Sequence, residues 1–154
     1  MIMEGLMQGM INDPKAALKF LLAGNATATF RSLKSGKHFT YQIEAAPHRD
    51  GYPDACFVGI LAGPDNTQDY RYAGMLNRIR GFWLTSKSKF GFESLSIIAI
   101  QDTMEELIKG KIPYMVEIWH EGLCGRCGRP LTVPKSISDS LINGGLGPEC
   151  AKLV

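Results

Sequence analysis

Four residues near the C-terminal end carry the clearest chemistry of the chain: His120, Cys124, Cys127 and Cys150. They read His-x3-Cys-x2-Cys-x22-Cys, the spacing of a structural zinc site. Two thiols two residues apart can curl round one metal ion. Gly125 and Gly128 allow the tight turn and let backbone N–H groups point at the sulfurs. Cys150 and His120 complete a tetrahedral set for Zn²⁺. The bland alternative is a free thiol pair in a glycine-rich loop. A thioredoxin-like redox pair fits less well, because no βαβ pattern surrounds it. Four protein ligands close the metal, so the site organises the fold and leaves no open position for a reacting water.

Other reaction signatures are absent. The deaminase pattern needs His-x-Glu and then Pro-Cys-x-x-Cys, whereas here His120 and Glu121 are adjacent and Leu123 precedes Cys124. There is no His-Glu-x-x-His, Gly-x-Ser-x-Gly, P-loop or dinucleotide fingerprint. Asp65 and Asp69 read as turn residues rather than a catalytic pair. The sequence expectation is therefore a protein that is not an enzyme.

A second group of residues suits binding. Arg71, Arg78, Arg80, Lys87 and Lys89 fall in a stretch without an acid between Asp69 and Glu93, interleaved with Tyr70, Tyr72, Phe82, Trp83 and Phe90. Cations neutralise phosphates and aromatic faces stack bases, so this stretch is the candidate nucleic-acid site. Arg31, Lys34, Lys37 and His38 add charge at a proposed hairpin tip. The competing reading is a solvated strand face above a core built from those aromatics. The metal segment is a poor phosphate trap: from His120 onward four Lys/Arg face three Asp/Glu, and three thiolates on one Zn²⁺ leave −1.

The rest of the chain must position these groups. Its 154 residues fit one domain plus a small metal-stapled appendage. A hydrophobic content of 45% supports a packed core. The last 35 residues or so would need the metal to fold. The net charge of +2 is too small to demand a nucleic-acid partner without clustering. Three of four cysteines spent on metal imply a reducing compartment, and Cys56 reads as a small buried hydrophobe. No segment is long enough to span a bilayer, and Met1 to Met10 is not a secretory signal, so the expected location is the cytoplasm, with no membrane partner.

Asp13-Pro14 starts a helix that Gly24 stops. Ala26–Leu33 and Lys37–Glu44 form a β-hairpin with its turn at residues 34–37. Ala55–Ala62 reads as a buried strand, continuous in apolar residues. Strands are expected between Tyr70 and Ser86, although Tyr72, Met75, Leu76 and Ile79 also fit a helix. Ser94–Lys109 carries a helical stripe and is read as one helix, despite a capping-box pattern at Asp102–Glu105. Ile112–Trp119 is a strand leading into His120. The expected fold is α+β: a mainly antiparallel sheet with one or two packed helices (residues 1–118), and a small zinc-binding module of knuckle or treble-clef-like form (residues 119–154).

The run from Trp119 to Cys150, with Cys-Gly-Arg-Cys-Gly-Arg-Pro-Leu-Thr-Val-Pro-x-Ser-Ile and Gly-Leu-Gly-Pro-Glu-Cys, resembles a family of uncharacterised zinc-ribbon-like domains common in phage and mobile-element proteins. Leu146 stands where the family pattern has Ile, and extra residues around Ser138–Asn143 precede the glycine-rich turn. Upstream, Gly24-Asn25-Ala26-Thr27, Phe39-Thr40-Tyr41 and Gly63-Pro64-Asp65-Asn66-Thr67 resemble sequences found before this domain in phage proteins. The resemblance implies zinc, a phage-type accessory role and the cytoplasm of an infected or element-bearing bacterial cell. It implies no established activity. The two expected roles are binding of nucleic acid or a nucleoprotein, and, as the alternative, inhibition of a host-defence effector (anti-CRISPR-like) by protein–protein contact. If the tail folds around zinc, Cys127→Ser costs the bound metal and unfolds the tail, while circular dichroism of the part before Tyr114 stays unchanged. Loss of the whole fold would instead make the module part of the main core.

Overall fold

The computed structural model describes residues 10–47, 55–63 and 68–120. Asp13 caps the first helix, α1 (Pro14–Leu21): its carboxylate accepts from the Ala16 N–H at 2.8 Å, and Pro14 fills the first turn. Ala16, Ala17, Phe20 and Leu21 form the buried stripe. The chain then turns through Gly24, whose φ of 121° no side chain favours, into the hairpin.

That hairpin is β2 (Asn25–Ser32) and β3 (His38–Ala45), paired from Asn25↔Glu44 to Arg31↔His38. It is followed by β4 (Cys56–Leu61), β5 (Tyr70–Asn77) and β6 (Gly81–Trp83), each antiparallel to its predecessor. The strand reading of residues 70–86 thus holds. The helix α2 (Leu95–Ile108) is a single element, with Ser96, Ile97, Ile100, Thr103, Met104 and Leu107 buried along one face. Asp102–Glu105 lies within it and starts nothing. Gly110, at φ 85°, ends it: Lys111 N–H donates to the Glu106 carbonyl at 2.9 Å and Gly110 N–H to Leu107 at 3.0 Å.

The last described strand, β7 (Val116–His120), goes where local pattern gives no hint. It inserts between β2 and the short N-terminal β1 (Met10–Ile11), so the seven-stranded sheet runs β1-β7-β2-β3-β4-β5-β6. The antiparallel sheet curls into a half-barrel, and the two helices fill its concave side. The inner face carries Ala26, Ala28, Phe30, Tyr41, Ile43, Cys56, Val58, Ile60, Leu76 and Ile118. Alternation is strict in β4: Cys56, Val58 and Ile60 point in, whereas Phe57 is 37% exposed. The expectation of continuous burial is therefore corrected: on the opposite face Phe57 is exposed and Gly59 and Leu61 are half-buried. Among the described residues no helix is long and apolar enough to cross a membrane.

Tyr41 ties sheet to helix. Its hydroxyl donates to the Ser96 carbonyl at 2.7 Å in the first turn of α2, and its ring lies 4.8 Å from that of Phe30. Burial pushes the phenol well above its ordinary value. Tyr41→Phe therefore lowers stability by about 1 kcal/mol in urea titration. The sign with pH also follows. Below about pH 10 the phenol is neutral in both states and adds no pH dependence; above it the unfolded chain ionises and the folded one does not. Stability of the parent protein falls above pH 10, and Tyr41→Phe shows the smaller fall.

Candidate functional site

Of the four metal-ligand candidates, only His120 lies among the described residues; Cys124, Cys127 and Cys150 fall outside them. His120 ends β7 opposite Ala28 and is 6% exposed. Its ring sits 6.1 Å from that of Phe20, tilted by 57°, on the side of the sheet covered by α1. Among the described residues no three His, Cys, Asp or Glu side chains gather around a metal-sized position. An imidazole is a donor that zinc accepts, and this one stands at the last described position, so further ligands would come from the chain beyond it.

The cations expected to meet nucleic acid are all exposed; two short loops present Arg78, Arg80, Lys87 and Lys89, while Arg71 lies within β5. Between β5 and β6 the Asn77 side-chain oxygen accepts from the N–H groups of Ile79 at 3.0 Å and Arg80 at 2.7 Å. This Asx turn projects Arg78 and Arg80 outward, and Gly81, at φ 79°, closes it. Arg80 then lies over the Trp83 ring, 4.5 Å from its centroid. After β6, Ser88 Oγ accepts from Thr85 N–H at 2.9 Å, and Lys89 N–H donates to the Tyr72 carbonyl at 2.9 Å. This loop docks Lys87 and Lys89 along β5, at the same end of the sheet as Arg71. The loop cations therefore border β5 and β6 at both ends.

The aromatic residues interleaved with them divide. Phe82 is 7% exposed and in the core, and Phe90 packs against the core; for these two the competing core reading is correct. Tyr72 and Trp83 face outward. Tyr72 does so because of a β-bulge. Val58 pairs with Gly74 but Gly59 with Tyr72, so Ala73 is the extra residue and both Ala73 and Gly74 turn inward. Gly74 is needed there: a Cβ would run into the Trp83 carbonyl oxygen. The Tyr72 hydroxyl lies 3.1 Å from Thr85 Oγ1, which fixes the ring.

Two outward residues escape the sequence reading. Phe57 meets Tyr72 edge to face, with ring centroids 6.2 Å apart and planes at 71°. Met75 sits between Phe57 and Trp83 in the ladder, giving a row Glu44–Phe57–Met75–Trp83 across four strands. Strict period-two reading of Cys56–Leu61 was the signal that would have exposed Phe57.

The hairpin-tip cations fall elsewhere. Arg31 pairs with Glu117 at 3.8 Å, and Lys34, Lys37 and His38 are exposed. Arg31 and Lys37 border a hollow of about 250 Å³ between the hairpin and α2, lined also by Phe39, Leu95 and Ile98. The structure does not join them to the β5–β6 group; they share an end of the sheet with Arg71, with β4 between the hairpin and β5.

Compared with known proteins, a family described only as a family of unknown function (DUF6011) matches residues 119–154, a span that opens within β7 and contains His120 and the three cysteines. No match is found among curated proteins or among solved structures.

Proposed function

We propose that the protein binds nucleic acid, or a nucleoprotein through its nucleic acid, on the outward face of β4–β6. In this reading it is a non-enzymatic accessory protein of the phage or mobile-element type that the C-terminal run resembles. His120, Cys124, Cys127 and Cys150 hold one structural Zn²⁺ at the end of the sheet. The observation that carries the proposal is the pairing of solvent-facing aromatics with cations on a face that no helix covers among the described residues: Phe57, Tyr72 and Trp83, with Arg78, Arg80, Lys87 and Lys89 in the loops at its ends, while Arg71, paired with the inward Ile60, lies on the other side of β5. A sheet face of this kind offers flat rings to bases and charge to the phosphates running past them.

The test is salt-dependent binding to single- and double-stranded DNA and RNA. The double variant Arg78→Glu/Arg80→Glu is expected to weaken binding at least tenfold and to reduce the slope of log affinity against log salt by roughly 1–2. Unchanged binding sinks the proposal.

A second reading, inhibition of a host-defence effector by protein contact, has its own support at the opposite end of β7. Tyr114 is 91% exposed on a turn in which Met115 adopts φ 61°, and Leu33, hydrogen-bonded to that turn, is 47% exposed. Exposed apolar tips of this kind mark protein contacts more often than phosphate contacts. Co-purification from host lysate that recovers no defence protein, with no protection of phage in cells, removes this reading.

A further inference from the structure

The open face of β4–β6 contains a hollow that a simple cationic track does not need. Gly59 stands opposite Tyr72 with no side chain on the outer face, and a depression of about 160 Å³ opens over it. Its walls are the rings of Phe57 and Tyr72 and the side chains of Gln42 and Glu44. Pockets for drug-sized ligands run to about 300–1,000 Å³, so this one admits only a small flat group. Filling it is restricted by the neighbouring strand: a Cβ on Gly59 would meet the Tyr70 Cβ at 3.2 Å.

The polar wall is the informative part. Glu44 is exposed beside Phe57, an acid in the same cross-strand row as Trp83, over which Arg80 lies. A carboxylate there repels phosphate and so contradicts a role in backbone binding. It suits a partner with two adjacent N–H donors, which it accepts through both oxygens in a charge-assisted pair. Among the four bases only guanine presents such an edge, N1–H beside N2–H₂. Adenine and cytosine place a ring acceptor beside their amine, and uracil or thymine flanks its single N–H with carbonyls. Gln42, two residues back on the same face, supplies an amide donor for the neighbouring O6.

Resting on the nucleic-acid reading above, we infer that the hollow over Gly59 is a base pocket that takes one unpaired guanine of a single strand, seated against the edge-to-face pair Phe57–Tyr72 and read by Glu44 and Gln42. A duplex cannot offer that edge, because pairing with cytosine occupies it. The site therefore selects single strands as well as the base.

The experiment is fluorescence anisotropy at fixed salt with 12-nucleotide uridine tracts carrying one central G, A or C, or none, and with the deoxythymidine equivalents. The guanine strand is expected to bind about tenfold more tightly than the others. Glu44→Gln, at an exposed position whose fold is checked by circular dichroism, is expected to bring that ratio below about twofold. Gly59→Ala is expected to weaken the guanine strand selectively. A preference in both sugar series assigns the pocket to the base alone, and one confined to RNA assigns it to guanosine in RNA. Equal affinity for all strands, with salt-sensitive binding intact, overturns the pocket and leaves the nucleic-acid reading standing. A guanine preference that survives Glu44→Gln overturns the assigned readout. Absence of binding to any strand overturns the underlying reading, and the pocket with it.

Discussion

One strand holds the two ends of the described chain together. Val116–His120 is hydrogen-bonded on both edges, to Met10–Ile11 on one side and to Ala28–Ser32 on the other. Among the described residues β1 pairs with no other strand, so its place in the described sheet depends on β7, which also covers the edge of β2. Forming this pairing closes a loop that contains almost the whole fold. Its entropic cost is offset by the burial of Ile118 in one core with Phe20 of α1 and Ile97, Ile100 and Met104 of α2. Tyr41 supplies the other half of the constraint. It fixes the distance between sheet and α2 through a hydrogen bond that no water competes for. The position of β7 also sets where the C-terminal segment begins: Trp119 and His120 are ladder partners of Thr29 and Ala28.

Much of this architecture is legible in the residues because it is local. Asp13-Pro14 announces α1 by capping chemistry. The hairpin follows from alternation on either side of Ser35-Gly36, and α2 from a stripe that repeats every three to four residues. The ambiguity at residues 70–86 was real, since Tyr72, Met75, Leu76 and Ile79 do repeat at helical intervals. Pairing with β4 and β6 overrides that periodicity, as tertiary context often does. The place of β7 and the existence of β1 were not legible. Strand order is a non-local property, and a two-residue strand has no period to read.

The candidate site shows the same division. Its cations are visible as a run without acids, and the turn chemistry of Asn77 and Gly81 explains their exposure. Which aromatics face outward depends on a register shift that sequence does not display. Phe82 and Phe90 looked as suitable as Tyr72 and Trp83, yet they complete the core. Phe57 looked buried and is not. The hollow over Gly59 needs three strands in register before it exists at all.

The bulge at Ala73 has a consequence for how such a chain can change over generations. A one-codon deletion within a paired strand usually inverts every side chain on one side of the cut, which makes it among the least tolerated of lesions. At Ala73 it does the opposite. The extra residue is the one removed, the ladder becomes regular, and Gly59↔Tyr72 and Val58↔Gly74 keep their partners and faces. The loss is one buried methyl and some local twist. The strand beneath the proposed site can thus shorten without being rewritten, at a position in the middle of the sheet rather than in a surface loop.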